Sequence, residues 1–184
     1  MTAYAKPKAG MTKTLFLLRH AKSSWKETGL EDFDRSLNRR GRAAATAIGQ
    51  YLAEANIAPA QILCSSAKRT RETLERVQGA LTTAVPTRFE RGIYLAEAPA
   101  LLRRIKRLSD SLASVMIVGH NPGLEILAEM LINDGDESLR QALAAKFPTG
   151  SLCIIKADVV HWAEFKARCG QLVAFVCPRQ LIGE

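Results

Sequence analysis

The chain has 184 residues, 47% apolar and 24% charged, with 26 Lys and Arg against 18 Asp and Glu for a net charge of +8. That length most simply makes one domain with a sizeable core, and apolar runs of only a few residues exclude a transmembrane helix. The first ten residues, MTAYAKPKAG, carry lysines but no apolar stretch of a secretory signal. Residues 1–11 read as a flexible leader and 12–184 as the domain. The positive balance favours anionic partners. Cys64, Cys153, Cys169 and Cys177 show neither CxxC nor zinc-ligand spacing. They suit free thiols in a reducing compartment, with cytoplasm as the expected location.

In chain order, LFLL (15–18) reads as a strand buried on both faces that stops on Arg19-His20. A loop runs from there to about Asn38. RGRAAATAIGQYLAEAN then places Ala44, Ala47, Ile48, Tyr51, Leu52 and Ala55 at helical spacing. QILC (61–64) is a short strand, and Ser65-Ser66 are good N-caps for a helix carrying Leu74, Val77 and Leu81 on one side. TRFE near Thr87 reads as an edge strand, and APALLRRIKRL as a helix with Leu101, Leu102, Ile105 and Leu108 inward. SVMIVGH is a buried strand running into NPG, with Pro122 at a favoured first helical position before LEILAEMLI. SLCIIKA and QLVAFVC close the sheet. Strands alternating with helices predict a single three-layer α/β/α domain with a mostly parallel sheet, the late pair allowing an antiparallel edge.

Three predicted strands end in related chemistry. The first ends in Arg19-His20, the second in Ser65-Ser66 before Arg69, and the fourth in His120-Asn121. In open α/β sheets ligands bind at the carboxyl ends of strands. Parallel neighbours would therefore bring Arg19, His20, Arg69 and His120 to one rim beside two helix N-termini. Guanidinium forks, imidazoles and positive helix ends all suit a phosphate dianion. Guanidinium groups beside a histidine also lower its pKa, and a neutral imidazole nitrogen can attack phosphorus. The expected chemistry needs no metal or other cofactor.

The strand-RHAKS segment, SSAKRTRET and VGHNPG together resemble the histidine phosphatase superfamily, with its phosphoglycerate mutase-like fold, and within it the small SixA-like phosphohistidine phosphatases. FDRSLNRRGRAAA resembles the family's D-x-x-R-x-L-x-x-x-G segment, and FPTGSL its P-T-G approach to a strand. The resemblance implies that His20 is the nucleophile and that Arg19, Arg69 and His120 bind the phosphoryl group. Asn121 and Ser65 are further substrate-binding candidates. Members acting on phosphate esters usually supply an acid to the leaving oxygen. Here Glu97 in IYLAEAPA lies in a suitable region, although acids are also favoured where a helix opens. The acids of LEDFD (30–34) are further candidates.

Three functions follow as expectations. The first is a phosphatase for phosphohistidine on a partner protein, because imidazole leaves phosphorus with less acid help than an alcohol does. The second is a phosphomonoesterase for small or peptide phosphates. The third is a non-catalytic phosphate- or nucleic-acid-binding module. No aromatic residues interleave with the basic ones, so nucleic acid is not the expected partner, and neither is a membrane. Cysteine phosphatases need C-x5-R, and Arg69 falls one place early after Cys64. Neither GxxxxGK[ST] nor GxGxxG occurs. His161 reads as ordinary surface, and Trp25 as a loop anchor in preference to a substrate-facing platform. Lys22, Ser23 and Ser24 line the loop after the nucleophile, and Arg35 holds that loop or makes an exposed ion pair.

Overall fold

The apolar run before Arg19-His20 forms β1 (Lys13–Arg19), and its successive side chains divide between two cores. Leu15 and Leu17 join one hydrophobic cluster, Phe16 and Leu18 the other, as the two-residue period of a strand requires. A strand so covered has no polar face, which is why its sequence reads as continuous rather than alternating. Truncating a fully buried leucine such as Leu17 would cost about 2–5 kcal/mol.

The structure, a computed structural model, describes residues 12–25 and 29–183; the predicted leader lies outside the described residues. After β1 come α1 (Arg39–Glu54), β2 (Gln61–Ser65), α2 (Lys68–Gln78), β3 (Thr87–Glu90), α3 (Ala98–Ile105) and β4 (Ser114–Gly119). Then follow α4 (Gly123–Leu131), β5 (Ile132–Gly135), α5 (Glu137–Ala145), β6 (Leu152–Ala157), β7 (Gly170–Val176) and α6 (Pro178–Ile182). The strands form one seven-stranded sheet in the order β3-β2-β4-β1-β6-β7-β5. Ile48 and Leu52 of α1 with Leu74 and Val77 of α2 cover one face. Leu101 and Ile105 of α3 with Leu124, Leu127 and Leu131 of α4 cover the other. This is the predicted α/β/α layering.

Some details differ from expectation. β6 runs antiparallel to both β1 and β7, yet it lies inside the sheet, and the edges are β3 and β5. The cap of α2 is Ala67 rather than a serine; Thr70 Oγ1 instead donates to the carbonyls of Ser65 and Ala67 at 2.8 and 2.7 Å. Pro122 occupies the cap of α4, one place before its first helical residue. β5, α5 and α6 were not predicted. β5 has a polar INDG sequence with no alternation, and α5 buries only Leu143. All four cysteines are free, with Cys64 and Cys153 buried and burial pushing the Cys64 thiol up to about 12. Among the described residues no helix is long and apolar enough to cross a membrane.

Candidate active site

β1 and β4 are parallel neighbours, with Arg19 level with Gly119. From β1 the chain leaves for α1 on one face of the sheet, and from β4 for α4 on the other. Such a divergence opens a crevice at the strands' carboxyl ends. His20 and His120 are the first residues past those ends, and their ring centroids lie 5.2 Å apart. The rim gathers Arg19, His20, Arg69 and His120, as their positions in the sequence predicted.

His20 is held from below and behind. Its amide donates to the Gly119 carbonyl at 3.0 Å, and Gly150 N donates to the His20 carbonyl at 3.0 Å. Gly150 has a φ of +82°, a conformation that favours glycine, so the P-T-G turn before β6 grips the backbone of His20. Ala21 N donates to Thr73 Oγ1 at 3.0 Å, fixing the next residue to α2. His20 Nδ1 lies 2.8 Å from the Ala21 carbonyl, which can only accept, so Nδ1 carries the hydrogen and Nε2 the lone pair. Burial lowers the His20 pKa to about 4; the Ala21 bond opposes this, while Arg69, Arg19 and Arg35 add to it. At neutral pH the ring is uncharged, with a lone pair on Nε2.

Arg19 is anchored by an Nη1 bond of 2.6 Å to the Phe147 carbonyl, while its Nε is buried without a partner. Burial lowers its pKa against the raising effect of Glu125, and it remains a cation. Arg69 is 3% exposed in the first turn of α2. Its Nη2 donates to Asp32 Oδ2 at 2.9 Å and lies 3.2 Å from His120 Nδ1. Because a guanidinium only donates, His120 Nδ1 must be the accepting nitrogen. His120 Nε2 then carries the hydrogen and gives it to Ser65 Oγ at 2.8 Å. Burial, then His20 and Arg69, lower the His120 pKa to about 3.

Ser65, expected among the substrate-binding groups, is fully buried with its hydroxyl engaged by His120. Its hydroxyl lies behind the imidazole of His120. Asn121 turns its amide nitrogen onto Glu125 and the Phe147 carbonyl, at 3.1 and 3.2 Å. Glu97 is exposed and caps α3 without a side-chain bond. Its backbone nonetheless neighbours the His120 corner: a Cβ on Gly123 would meet the Ala96 carbonyl oxygen at 1.9 Å and Glu97 Cα at 3.5 Å. Only glycine permits that approach. Trp25 is no buried anchor; it is 80% exposed, with the Arg35 guanidinium 3.2 Å from its ring centre.

Of the LEDFD acids, Asp32 reaches the rim, on a 3₁₀ turn of the loop after His20. Every fixed position of D-x-x-R-x-L-x-x-x-G has work there. Asp32 faces Arg69. Arg35 binds Asp32 Oδ1 at 2.8 Å, Ser23 Oγ at 2.6 Å and the Ser24 carbonyl at 3.1 Å. Leu37 is buried with Ala21 and Ala45. A Cβ on Gly41 would fall 2.1 Å from the Lys22 carbonyl oxygen. Tyr94, which sequence reasoning missed, donates its hydroxyl to Asp32 Oδ2 at 2.7 Å and stands edge-on to His120, ring centres 5.3 Å apart. Burial would raise the Asp32 pKa, but hydrogen bonds from Tyr94 and Arg35 and the charge of Arg69 hold it at about 2.

A neutral imidazole flanked by two guanidiniums at a sheet rim suits a phosphoryl group. Residues 15–93 match the profile of the histidine phosphatase superfamily (branch 1). A solved structure from Agrobacterium tumefaciens, provisionally named as the phosphohistidine phosphatase SixA, is 32% identical, with a TM-score of 0.76 over 90% of this chain and 98% of that one. A SixA structure from Nakamurella multipartita, provisionally named likewise, is 25% identical, with a TM-score of 0.78 over 94% of this chain and 99% of the other. An uncharacterized protein of Mycobacterium tuberculosis is 32% identical over 164 residues, 88% of this chain and 100% of its own. The chain belongs to the histidine phosphatase superfamily, with the phosphoglycerate mutase-like fold, and membership implies phosphatase activity.

Proposed function

We propose that the protein removes the phosphoryl group from phosphohistidine on a partner protein, through a phosphohistidine intermediate on His20. The observation that carries the mechanism is the Nδ1–H bond to Ala21, which presents Nε2 as the attacking atom. In the first step a bond forms from His20 Nε2 to phosphorus, the bond to the substrate nitrogen breaks, and its electron pair stays on the leaving ring. Arg19 and Arg69 stabilise the equatorial oxygens, and the unpartnered Arg19 Nε is a donor suited to one of them. In the second step water attacks phosphorus, its proton goes to the phosphate, and the electron pair returns to Nε2. Because Nδ1 keeps its hydrogen throughout, His20 leaves as neutral imidazole and needs no separate acid.

Phosphohistidine suits the site better than an ester because the rim offers a carboxylate held ionised, not a poised acid. The provisional names of the two SixA relatives point to the same substrate. The test compares kcat/KM on a phosphohistidine-bearing protein domain with that on aryl and sugar phosphates, using His20→Ala as blank. A preference of about a hundredfold or more for the phosphoprotein is expected; equal or reversed preference overturns the reading. The alternative, a monoesterase with Glu97 as acid, draws on the closeness of the Glu97 backbone to the His120 corner. Ester turnover that Glu97→Gln abolished would establish it.

A further inference from the structure

Resting on that reading, we infer that Asp32 determines specificity for a phosphorylated imidazole: its carboxylate receives the N–H on the distal ring nitrogen of the substrate, so that the ring leaves neutral. Three features of Asp32 carry this. First, its acceptor capacity is used on the protein side but not filled. Oδ2 takes Arg69 Nη2 and the Tyr94 hydroxyl, Oδ1 takes Arg35 Nη1, and the backbone carbonyl takes Arg69 Nη1 at 2.5 Å. A carboxylate has about four acceptor sites, so one remains, and the side chain is 44% exposed. Second, Asp32 is bonded directly to the guanidinium that also touches His120, which places it beside the His120 corner of the rim. Third, Arg69, Arg35 and Tyr94 fix both oxygens, so the group does not swing away when substrate arrives.

The chemistry then separates two substrate classes. In a phosphoimidazole whose distal nitrogen bears hydrogen, breaking the P–N bond returns an electron pair to the proximal nitrogen and yields neutral imidazole, with no proton moved. A carboxylate bonded to the distal N–H favours that protonated reactant. A phosphate ester has no such hydrogen, and the negative charge developing on its leaving oxygen is repelled by the same carboxylate. The protein meets this problem twice: Ala21 holds the distal N–H of its own phosphorylated His20, and Asp32 would hold that of the substrate.

The experiment uses two small probes free of protein docking, phosphoimidazole and p-nitrophenyl phosphate, with the full chain as wild type, Asp32→Asn and Tyr94→Phe. The expected result is a ratio of kcat/KM, phosphoimidazole over ester, that falls about tenfold or more in Asp32→Asn, the scale of one hydrogen bond to a charged group. Tyr94→Phe, which removes one of the bonds holding the carboxylate, should shift the ratio the same way by a smaller factor. Equal losses on both probes in both variants would overturn the inference, leaving Asp32 as a brace for Arg69. Wild type that cleaves the ester but not phosphoimidazole would instead overturn the phosphohistidine reading itself.

Discussion

His20 and His120 end neighbouring parallel strands at the same level of the sheet, and both are held neutral, yet their nitrogens are spent differently. His120 has both engaged, one by Arg69 and one by Ser65, whereas His20 has a carbonyl on Nδ1 and its lone pair on Nε2. The difference teaches that a histidine's role in such a site is written in its partners rather than in its position. One ring is tied at both nitrogens, and the other at one, which leaves the second free for the chemistry proposed above.

The largest effect should come from removing each ring in turn. His20→Ala should lower kcat/KM by about 10⁴-fold or more and abolish any phosphoenzyme trapped by an alkaline detergent quench, while His120→Ala should lose about 10²–10³-fold and still form one. A phosphoenzyme that survived in His20→Ala would reverse the assignment. A middle effect should follow from Ser65→Ala, which leaves the His120 N–H buried and unpaired. That should lower thermal stability by about 1–3 kcal/mol and kcat/KM by about tenfold, read by calorimetry and steady-state kinetics. An unchanged enzyme would show that the Ser65 bond does not set the His120 ring.

A third effect, which grows with each pH unit below neutrality, is on stability against pH. Both rings have folded pKa values, about 4 and about 3, below the 6.5 of an unfolded histidine. As pH falls below 6.5 the unfolded chain takes up protons that the folded chain refuses, so stability drops with falling pH. The loss per ring is about 1.4 kcal/mol per pH unit, continuing until its folded pKa is reached. Denaturation midpoints between pH 7 and 5 should show this slope, and His20→Ala should remove about half of the histidine contribution. An identical slope in that variant would mean that His20 titrates normally in the folded protein.

The four rim residues were legible because each follows an apolar strand or opens a helix, and strand ends in an α/β sheet have predictable places. Asp32 was visible only as one of several acids on a loop, and Tyr94 not at all. Neither sits on a periodic element, and what brings them together is Arg69, 37 residues from Asp32 along the chain. The buried threonines of SSAKRTRET make the same point. Thr73 reads as a polar intrusion in a helix until its hydroxyl is seen holding Ala21 N. The serine caps misled because the chain enters α2 one residue later, at Ala67, and the Ser65 hydroxyl is taken by His120.

The reversed strand β6 has a consequence for anyone who would transplant this chemistry. Because it runs opposite to β1, its amino end reaches the rim, and the Phe147–Ser151 segment before it supplies the carbonyl under Arg19 and the amide gripping His20. A chimera carrying the RH, SSAKRTRET and GHNPG motifs but ending before Phe147 would hold those signatures and still lack the clamp on His20. The catalytic unit is therefore not a portable cassette of motifs. It is a loop closed by the last quarter of the chain, and grafts or permutations of this fold must carry that return strand with them.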